Sequence, residues 1–207
     1  MVQMKSVVII EDHEMMRAGL ALRLEGRWHI AGEACSIREV KALFTRLAQA
    51  PESSPPDLVL LDIELGTDWG LDILRAKFFT SVFKGNPPVL IYSAYNDFAH
   101  INAALRSGAR GYIYKTQGVD DLLEAMEKVA AGTDVFPPFL LRRLAAVSDL
   151  VMGLTKRERE IFTMVQRGMN NNEIAAGLGV SIRTIENNLS ILYDKTGVKN
   201  RRELEKL

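Results

Sequence analysis

Hydrophobic and polar positions alternate between two kinds of segment along the first 131 residues. Short apolar runs are typical of strands buried in a parallel sheet, and the segments between them have apolar residues at helical spacing. The predicted strands are Ser6–Ile10, His29–Ala34, Leu58–Leu61, Val89–Tyr92 and Gly111–Tyr114. The predicted helices are Glu14–Leu24, Ser36 to about Ala48, Leu71–Phe79, Asn96 or Asp97 to Arg106, and Val119–Ala131. This alternation predicts an α/β fold with a doubly wound, five-stranded parallel sheet.

After residue 131 the strand signals stop. Residues 132–153 contain Pro137-Pro138 and an amphipathic segment at Leu140–Val147, which together predict a partly helical linker. Residues 154–207 show only helical periodicity. The predicted helices run from Thr155 to about Arg167, from Asn170 to Leu178, from Ser181 to about Lys195, and from Asn200 to Leu207. We therefore predict two domains, 1–131 and 154–207, the second of them small and all-α.

The turn at Gly179-Val180 joins two of these helices closely. Two helices on a tight turn form a helix-turn-helix, whose second helix can enter the major groove of DNA. Helical hairpins that bind no nucleic acid are also common, so periodicity alone leaves DNA binding open. Charge suggests different partners for the two halves, because residues 1–130 carry 14 basic and 17 acidic side chains whereas residues 153–207 carry 10 and 7.

The composition is that of an ordinary globular protein, with 47% apolar and 25% charged residues. No apolar run approaches the ~20 residues that a membrane span needs. Acidic residues follow the first apolar run directly, which a secretory leader would not show. The single Cys35 excludes an intrachain disulfide and a cysteine-based zinc finger. We expect a cytoplasmic protein with no membrane partner.

Polar side chains follow four of the predicted strands at the point where each strand ends. They are Glu11, Asp12, Asp62, Ser93 and Lys115. Because the carboxyl ends of parallel strands meet at one edge of the sheet, where open α/β folds have their clefts, we expect these side chains to lie together. The alternative is a set of carboxylates that only cap helices, with Lys115 as an ion-pair partner.

A carboxylate such as Asp62 can accept a phosphoryl group, provided that the charge on the phosphoryl oxygens is neutralised. Mg²⁺ is the usual means, and it prefers oxygen ligands. The oxygen ligands available are Glu11, Asp12, Asp62 and the backbone carbonyl of Glu64. Lys115 and Ser93 can bind phosphoryl oxygens, so their movement toward phosphorylated Asp62 would form a switch.

The order of these residues resembles the receiver domain of bacterial response regulators, over about Lys5–Ala131. Leu154–Leu207 resembles the LuxR-type helix-turn-helix. The matching segments are Leu154-Thr155-Lys156-Arg157-Glu158-Arg159-Glu160, Asn172-Glu173-Ile174-Ala175, and Thr184-Ile185-Glu186 through Gly197-Val198. Together the halves resemble a NarL/FixJ-type response regulator, with a flavodoxin-like receiver. The resemblance implies that a histidine kinase phosphorylates Asp62 with Mg²⁺ present, and that the protein, which is not an enzyme, then binds double-stranded promoter DNA as a homodimer.

The same resemblance implies roles for single residues. Tyr112 matches the aromatic residue that rotates inward on activation. Several positions of the second domain match residues that contact DNA. Ser181 and Thr184 match phosphate contacts, Glu186, Asn187 and Ser190 match positions that face base edges, and Lys195 lies further along the same helix. Arg183 is placed to follow the DNA backbone, and Asn187 and Asn188 can read adenine.

Three positions depart from the usual pattern of the family. Glu11 stands where Asp is frequent, Gly66-Thr67 where Pro-Gly is usual, and Glu186 where many relatives carry Lys. Phosphates would repel Glu186, although a glutamate can accept a hydrogen bond from cytosine. Two alternatives stay open. One is an orphan regulator that works without phosphorylation, by constitutive dimerisation or a protein partner. The other is a phosphatase that uses Glu64 as its acid–base residue.

Overall fold

The computed structural model describes residues 4–49, 54–83, 85–142, 153–205 and 207. The chain divides into two compact units, Met1–Leu140 and Leu141–Leu207, and each has its own hydrophobic core. Within the described ranges, no helix is both long enough and apolar enough to cross a lipid bilayer.

The first unit is built on the parallel sheet that the sequence predicts. Its strands are β1 (Ser6–Ile10), β2 (His29–Ala34), β3 (Leu58–Leu61), β6 (Val89–Ser93) and β7 (Gly111–Tyr114), in the order β2-β1-β3-β6-β7. Two further strands, β4 (Glu64–Leu65) and β5 (Asp68–Trp69), form a small antiparallel hairpin after β3. The order of the five parallel strands reverses direction between β1 and β3, and in such sheets the cleft lies at that switch point.

Two of the helices described in this unit begin at a polar side chain that caps the first turn. The helices of this unit are α1 (Glu14–Leu24), α2 (Ile37–Ala48), α3 (Leu71–Arg75), α4 (Phe78–Val82), α5 (Phe98–Arg106) and α6 (Val119–Ala130). Ser36 Oγ accepts a hydrogen bond from the amide of Glu39, and Asp97 Oδ1 accepts from the amides of Ala99 and His100. These bonds satisfy amide groups that the first turn of a helix leaves without partners.

The prediction of one helix over Leu71–Phe79 is wrong. The chain forms α3 and α4 instead, and Lys77 between them adopts a left-handed conformation with φ of 52°. The reason is tertiary packing, since Phe79 is buried against Phe44 of α2 with ring centroids 4.7 Å apart. A continuous helix would have kept Lys77 in the ordinary helical region.

The linker that follows α6 is described only in part. Val135 forms a parallel bridge with Gly111 of β7, and residues 138–142 are helical. The predicted amphipathic segment Leu140–Val147 lies outside the described residues from residue 143 onward.

The second unit contains the predicted helical pattern. Its helices are α7 (Lys156–Gln166), α8 (Asn171–Leu178), α9 (Ile182–Thr196) and α10 (Arg201–Leu204). Thr155 and Glu158 form a capping box at the start of α7, and Gly179 ends α8 with φ of 65°. Glycine suits this left-handed position because it has no Cβ. Ile185, Leu189 and Leu192 turn one face of α9 into the core, which leaves the opposite face of α9 exposed.

Candidate functional site

Asp62 lies directly after β3, at the carboxyl edge of the sheet, and its side chain is 5% exposed. Its Oδ1 accepts a hydrogen bond of 2.7 Å from the amide of Ile63, and its Oδ2 lies 2.6 Å from Lys115 Nζ. The same ammonium lies 2.7 Å from Glu11 Oε2. The strand ends therefore bring together the residues that the sequence predicts there, with Lys115 bridging two buried carboxylates.

Burial shifts the pKa values of the charged groups in this cluster. Burial raises the pKa of the Asp62 carboxyl above its ordinary value, and the hydrogen bond and charge of Lys115 act in the opposite direction. Burial tends to lower the pKa of Lys115, but its bonds to Asp62 and Glu11 outweigh that effect and raise it. One ammonium thus pairs with the carboxylates of Glu11 and Asp62, and Asp12 lies next to Glu11, so the site has negative charge left for another cation.

Asp12 gives a direct test of whether a metal ion fits. Its Oδ2 accepts a hydrogen bond of 3.0 Å from the amide of Gly66, whereas its Oδ1 is buried and accepts no hydrogen bond from any described residue. His13 Nδ1 lies 2.9 Å from Oδ1 but in poor hydrogen-bond geometry, and His13 is 73% exposed. A buried carboxylate oxygen without a hydrogen-bond donor is suited to a hard divalent cation.

A ligand set that includes His13 was not predicted from the sequence. Each of the residues Glu11, Asp12 and His13 offers one possible ligand atom, and these three atoms lie within 4.8 Å of one another. Glu64, predicted to contribute its backbone carbonyl, has an exposed side chain that accepts a 3.2 Å hydrogen bond from the hydroxyl of Tyr95. Because Mg²⁺ prefers oxygen, the carboxylates fit it better than the imidazole. The carbonyl of Glu64 stays a predicted ligand.

Ser93 and Tyr112 are buried side by side at the same edge of the sheet. Ser93 is buried at the end of β6, and Tyr112 of β7 is 2% exposed. The hydroxyl of Tyr112 donates a 2.8 Å hydrogen bond to the backbone oxygen of Tyr95. Burial raises the pKa of Tyr112, and a hydrogen bond with the Ser93 hydroxyl acts in the opposite direction. The predicted switch residue is therefore in an inward position in this structure.

Tyr95 is the residue of this site that the sequence analysis missed. Its amide lies 3.4 Å from Ser93 Oγ, its carbonyl accepts from Tyr112, and its hydroxyl donates to Glu64. Its ring stacks on His100 with centroids 4.0 Å apart. The sequence signal is an aromatic residue two positions after the serine that ends β6. This signal is weak by itself.

In the second unit, α9 carries the predicted DNA-contacting residues. Arg183, Glu186, Asn187 and Ser190 are exposed. Ser181 and Thr184 are engaged locally, because Ser181 Oγ accepts from the Thr184 amide and the two hydroxyls lie 2.8 Å apart. Asn188 is half-buried and donates to the backbone oxygen of Thr184. These four exposed side chains comprise one cation, one acid and two neutral polar groups.

Lys195 differs from the other predicted DNA-contacting residues. Its ammonium lies 2.8 Å from both carboxylate oxygens of Glu158, whose side chain is 8% exposed. The hydrogen bond of Lys195 holds the pKa of Glu158 below its ordinary value. This pair joins α7 to α9. Because the ammonium of Lys195 is bound to Glu158, that bond competes with the predicted contact between Lys195 and DNA.

Comparisons with known proteins decide the family. The profile of the response regulator receiver domain matches residues 7–127, and that of the luxR family of bacterial regulatory proteins matches residues 152–206. The chain belongs to the response regulators. It is a response regulator with a LuxR-type DNA-binding domain. These matches do not support the alternative of an orphan regulator that works without phosphorylation.

Relatives of this response regulator match it over nearly its whole length. It is 30% identical over 203 residues to the response regulator protein VraR of Staphylococcus aureus, a match that covers 94% of this chain and 91% of VraR. Among solved structures, RcsB dimers bound to two parallel DNAs match 99% of this chain and 97% of theirs, with 23% identity and a TM-score of 0.60. RcsB of Salmonella enterica bound to a promoter with the phosphomimetic BeF3− matches at 22% identity, the same coverage and a TM-score of 0.55. These structures support the fold.

Proposed function

We propose that this response regulator is a transcription factor switched by phosphorylation of Asp62. The observation that carries the proposal is the Lys115 ammonium held between Asp62 and Glu11 at 2.6 and 2.7 Å, beside the buried Asp12 oxygen that lacks a donor. Such a site can neutralise charge on a phosphoryl group in transfer, which is the main requirement of this chemistry.

In the proposed reaction a carboxylate oxygen of Asp62 attacks the phosphorus of a phosphohistidine on a histidine kinase. The oxygen–phosphorus bond forms as the phosphorus–nitrogen bond breaks, and the histidine ring leaves with its electron pair and takes up a proton. Glu11, Asp12 and Asp62 would hold Mg²⁺, which would neutralise charge on the transferred group. Lys115 binds one phosphoryl oxygen, and the hydroxyl of Ser93 donates to another.

The consequences of phosphorylation follow from the neighbours of Ser93. A hydroxyl drawn toward the phosphoryl group leaves Tyr112 and the amide of Tyr95, so the hydrogen bonds behind the acceptor rearrange. The protein then pairs as a homodimer and binds double-stranded promoter DNA through α9, with Arg183, Asn187 and Ser190 nearest the bases and the backbone. The proposed role is regulation of transcription in the cytoplasm.

The alternative hypothesis, a phosphatase that uses Glu64 as its acid–base residue, fits the site less well. It would need Glu64 as a free acid–base group, but the Glu64 carboxylate is hydrogen-bonded to Tyr95. A LuxR-type DNA-binding domain also has no part in that reaction.

The test is DNA binding by the intact protein at one fixed salt concentration, with and without Mg²⁺ and beryllofluoride. We expect beryllofluoride to tighten binding of the wild type and to leave Asp62→Asn unchanged. The matched control is Asp72→Asn, which removes a carboxylate that is 59% exposed and should respond like the wild type. A beryllofluoride response that persists in Asp62→Asn would refute the assignment of the acceptor.

A further inference from the structure

The outer edge of β7 is covered by the segment that leaves α6. We call residues 132–138 the strap. The amide of Tyr112 donates a 2.7 Å hydrogen bond to the backbone oxygen of Val135, and the amide of Val135 donates a 3.0 Å bond to the oxygen of Arg110. β7 is the last strand of the sheet, so without the strap its amides and carbonyls would be unpaired on that side.

The position of the strap is specified by neighbouring side chains. Arg110 lies 2.6 Å from Asp134 Oδ1 and donates a 2.8 Å hydrogen bond to the backbone oxygen of Gly132. A Cβ on Gly111 would lie 3.1 Å from the oxygen of Val135 and 2.8 Å from side-chain atoms of Leu90 and Val129. A residue without a side chain at position 111 is therefore what lets the strap approach the strand.

The packing around the strap leaves room for movement. A groove of about 270 Å³ lies next to it, lined by Tyr112, Tyr114 and residues of α6 on one side and by Phe136 and Pro137 on the other. The Arg110–Asp134 pair is half exposed, and such pairs contribute little to stability. The contacts of Arg110 and two backbone hydrogen bonds at Val135 hold the strap, and the two bonds at Val135 can open without unfolding the sheet.

Tyr112 connects this strap to the phosphorylation site. Its backbone amide bonds the strap, whereas its side-chain hydroxyl bonds the oxygen of Tyr95 and faces Ser93. A rearrangement that shifts the backbone of Tyr112 together with its ring would alter the hydrogen bond to Val135. The strap in turn continues through the helical residues 138–142 toward the second unit of the chain.

We propose that the strap is the part of the linker that responds to the state of Asp62: rearrangement of Ser93 and Tyr112 on phosphorylation changes the pairing of Val135 with β7. This inference rests on the proposed function, because it requires Asp62 to be the phosphoryl acceptor. Neither matching family profile includes the strap, which lies between residues 127 and 152.

The experiment is hydrogen exchange of the Val135 and Tyr112 amides in the full chain, with Mg²⁺, before and after addition of beryllofluoride. Fluorine NMR in the same samples reports whether beryllofluoride is bound at the acceptor. We expect exchange of the Val135 amide to change by about tenfold or more in the wild type, the scale of a local opening equilibrium. In Tyr112→Phe the backbone bond remains, so basal protection should persist while the response to beryllofluoride falls or disappears.

Arg110→Gln is the complementary variant, because Arg110 fastens the strap and does not touch the acceptor site. We expect faster basal exchange at Val135, an unchanged fluorine signal, and a weaker tightening of DNA binding by beryllofluoride. If beryllofluoride binds the wild type and exchange at Val135 does not change, the strap proposal is overturned while the proposed function stands. If no beryllofluoride binds, both are overturned.

Discussion

At the scale of single residues, burial raises the pKa of the Asp62 carboxyl, and the Lys115 ammonium opposes this effect. Lys115 contacts both Asp62 and Glu11, and Asp12 adds a third carboxylate whose Oδ1 has no donor among the described residues. Removing a charge from water costs several kcal/mol unless partners compensate it. The excess of buried negative charge is therefore a cost to stability, as expected of the proposed site for a cation and a phosphoryl group.

Replacing Asp62 with Asn should accordingly stabilise the metal-free protein. Asparagine keeps the shape, and its single side-chain oxygen can accept from either Ile63 or Lys115, but it removes a buried charge. We expect the free energy of unfolding in EDTA at neutral pH to rise by roughly 1 kcal/mol, because a desolvated charge is removed while Lys115 keeps Glu11 as its partner. Thermal or urea unfolding would measure this rise.

The difference in unfolding free energy between Asp62→Asn and the wild type should depend on pH with a definite sign. Because the pKa of Asp62 is raised in the folded protein, its protonation favours the fold, and this contribution is lost as pH rises through the folded pKa. The gap between the variant and the wild type should therefore narrow as pH falls from the folded pKa toward the ordinary value of 3.8. The exposed control Asp72→Asn should show no comparable gap, and a gap that widened on acidification would contradict the expectation.

Gly70 supports the acceptor from behind, and its substitution should damage the site. A Cβ on Gly70 would overlap the backbone oxygen of Asp62, although the backbone at Gly70 is itself helical and suits alanine. We expect Gly70→Ala to cost about 1–3 kcal/mol of stability, as overpacking does, and to weaken beryllofluoride binding. Urea unfolding and fluorine NMR measure the two effects.

Gly19 is the matched control for that substitution. It lies within α1, and a Cβ there would meet no atom within 4 Å. Gly19→Ala should raise stability by up to about 1 kcal/mol because alanine favours helix, with beryllofluoride binding unchanged. Equal losses in both variants would show that the glycine at position 70 has no special part in holding Asp62.

At the scale of elements, the break between α3 and α4 carries local strain. Lys77 is the one non-glycine residue with positive φ among the described residues. The left-handed region costs a side chain roughly 1–2 kcal/mol. We expect Lys77→Gly to raise the free energy of unfolding by about 1 kcal/mol in a urea titration. Lys77→Ala removes the charge but keeps the strain, so it should change stability little, and a gain in Lys77→Ala as large as in Lys77→Gly would refute the strain.

The same break shows where sequence reasoning stops. Apolar runs followed by polar groups predicted the parallel sheet and the cluster around Asp62, because both follow from periodicity and from the common edge of the strands. The helix break at Lys77 depends on Phe79 packing against Phe44, and the pairing of Lys195 with Glu158 joins positions 37 residues apart. Neither contact leaves a local signal in the sequence.

At the scale of the whole molecule, the DNA-binding surface is less basic than the formal charge of its domain suggests. Of the basic residues on α9, Arg183 is exposed without a partner among the described residues, whereas Lys195 is bound to Glu158. Glu186 on the same helix adds an opposing charge. A surface of this kind gives a single copy few phosphate contacts, so the proposed homodimer should matter strongly for affinity.

The role of Lys195 in DNA binding can be decided from salt dependence. Removing one side chain that binds a DNA phosphate lowers the slope of log affinity against log salt concentration by about 1. We expect Arg183→Met to lower the slope by about that amount in a titration of the intact, beryllofluoride-treated protein with promoter DNA. Lys195→Met should leave the slope nearly unchanged but reduce thermal stability near neutral pH, because it leaves the Glu158 carboxylate without its cation. A slope reduced equally in both variants would mean that Lys195 exchanges Glu158 for a DNA phosphate in the complex.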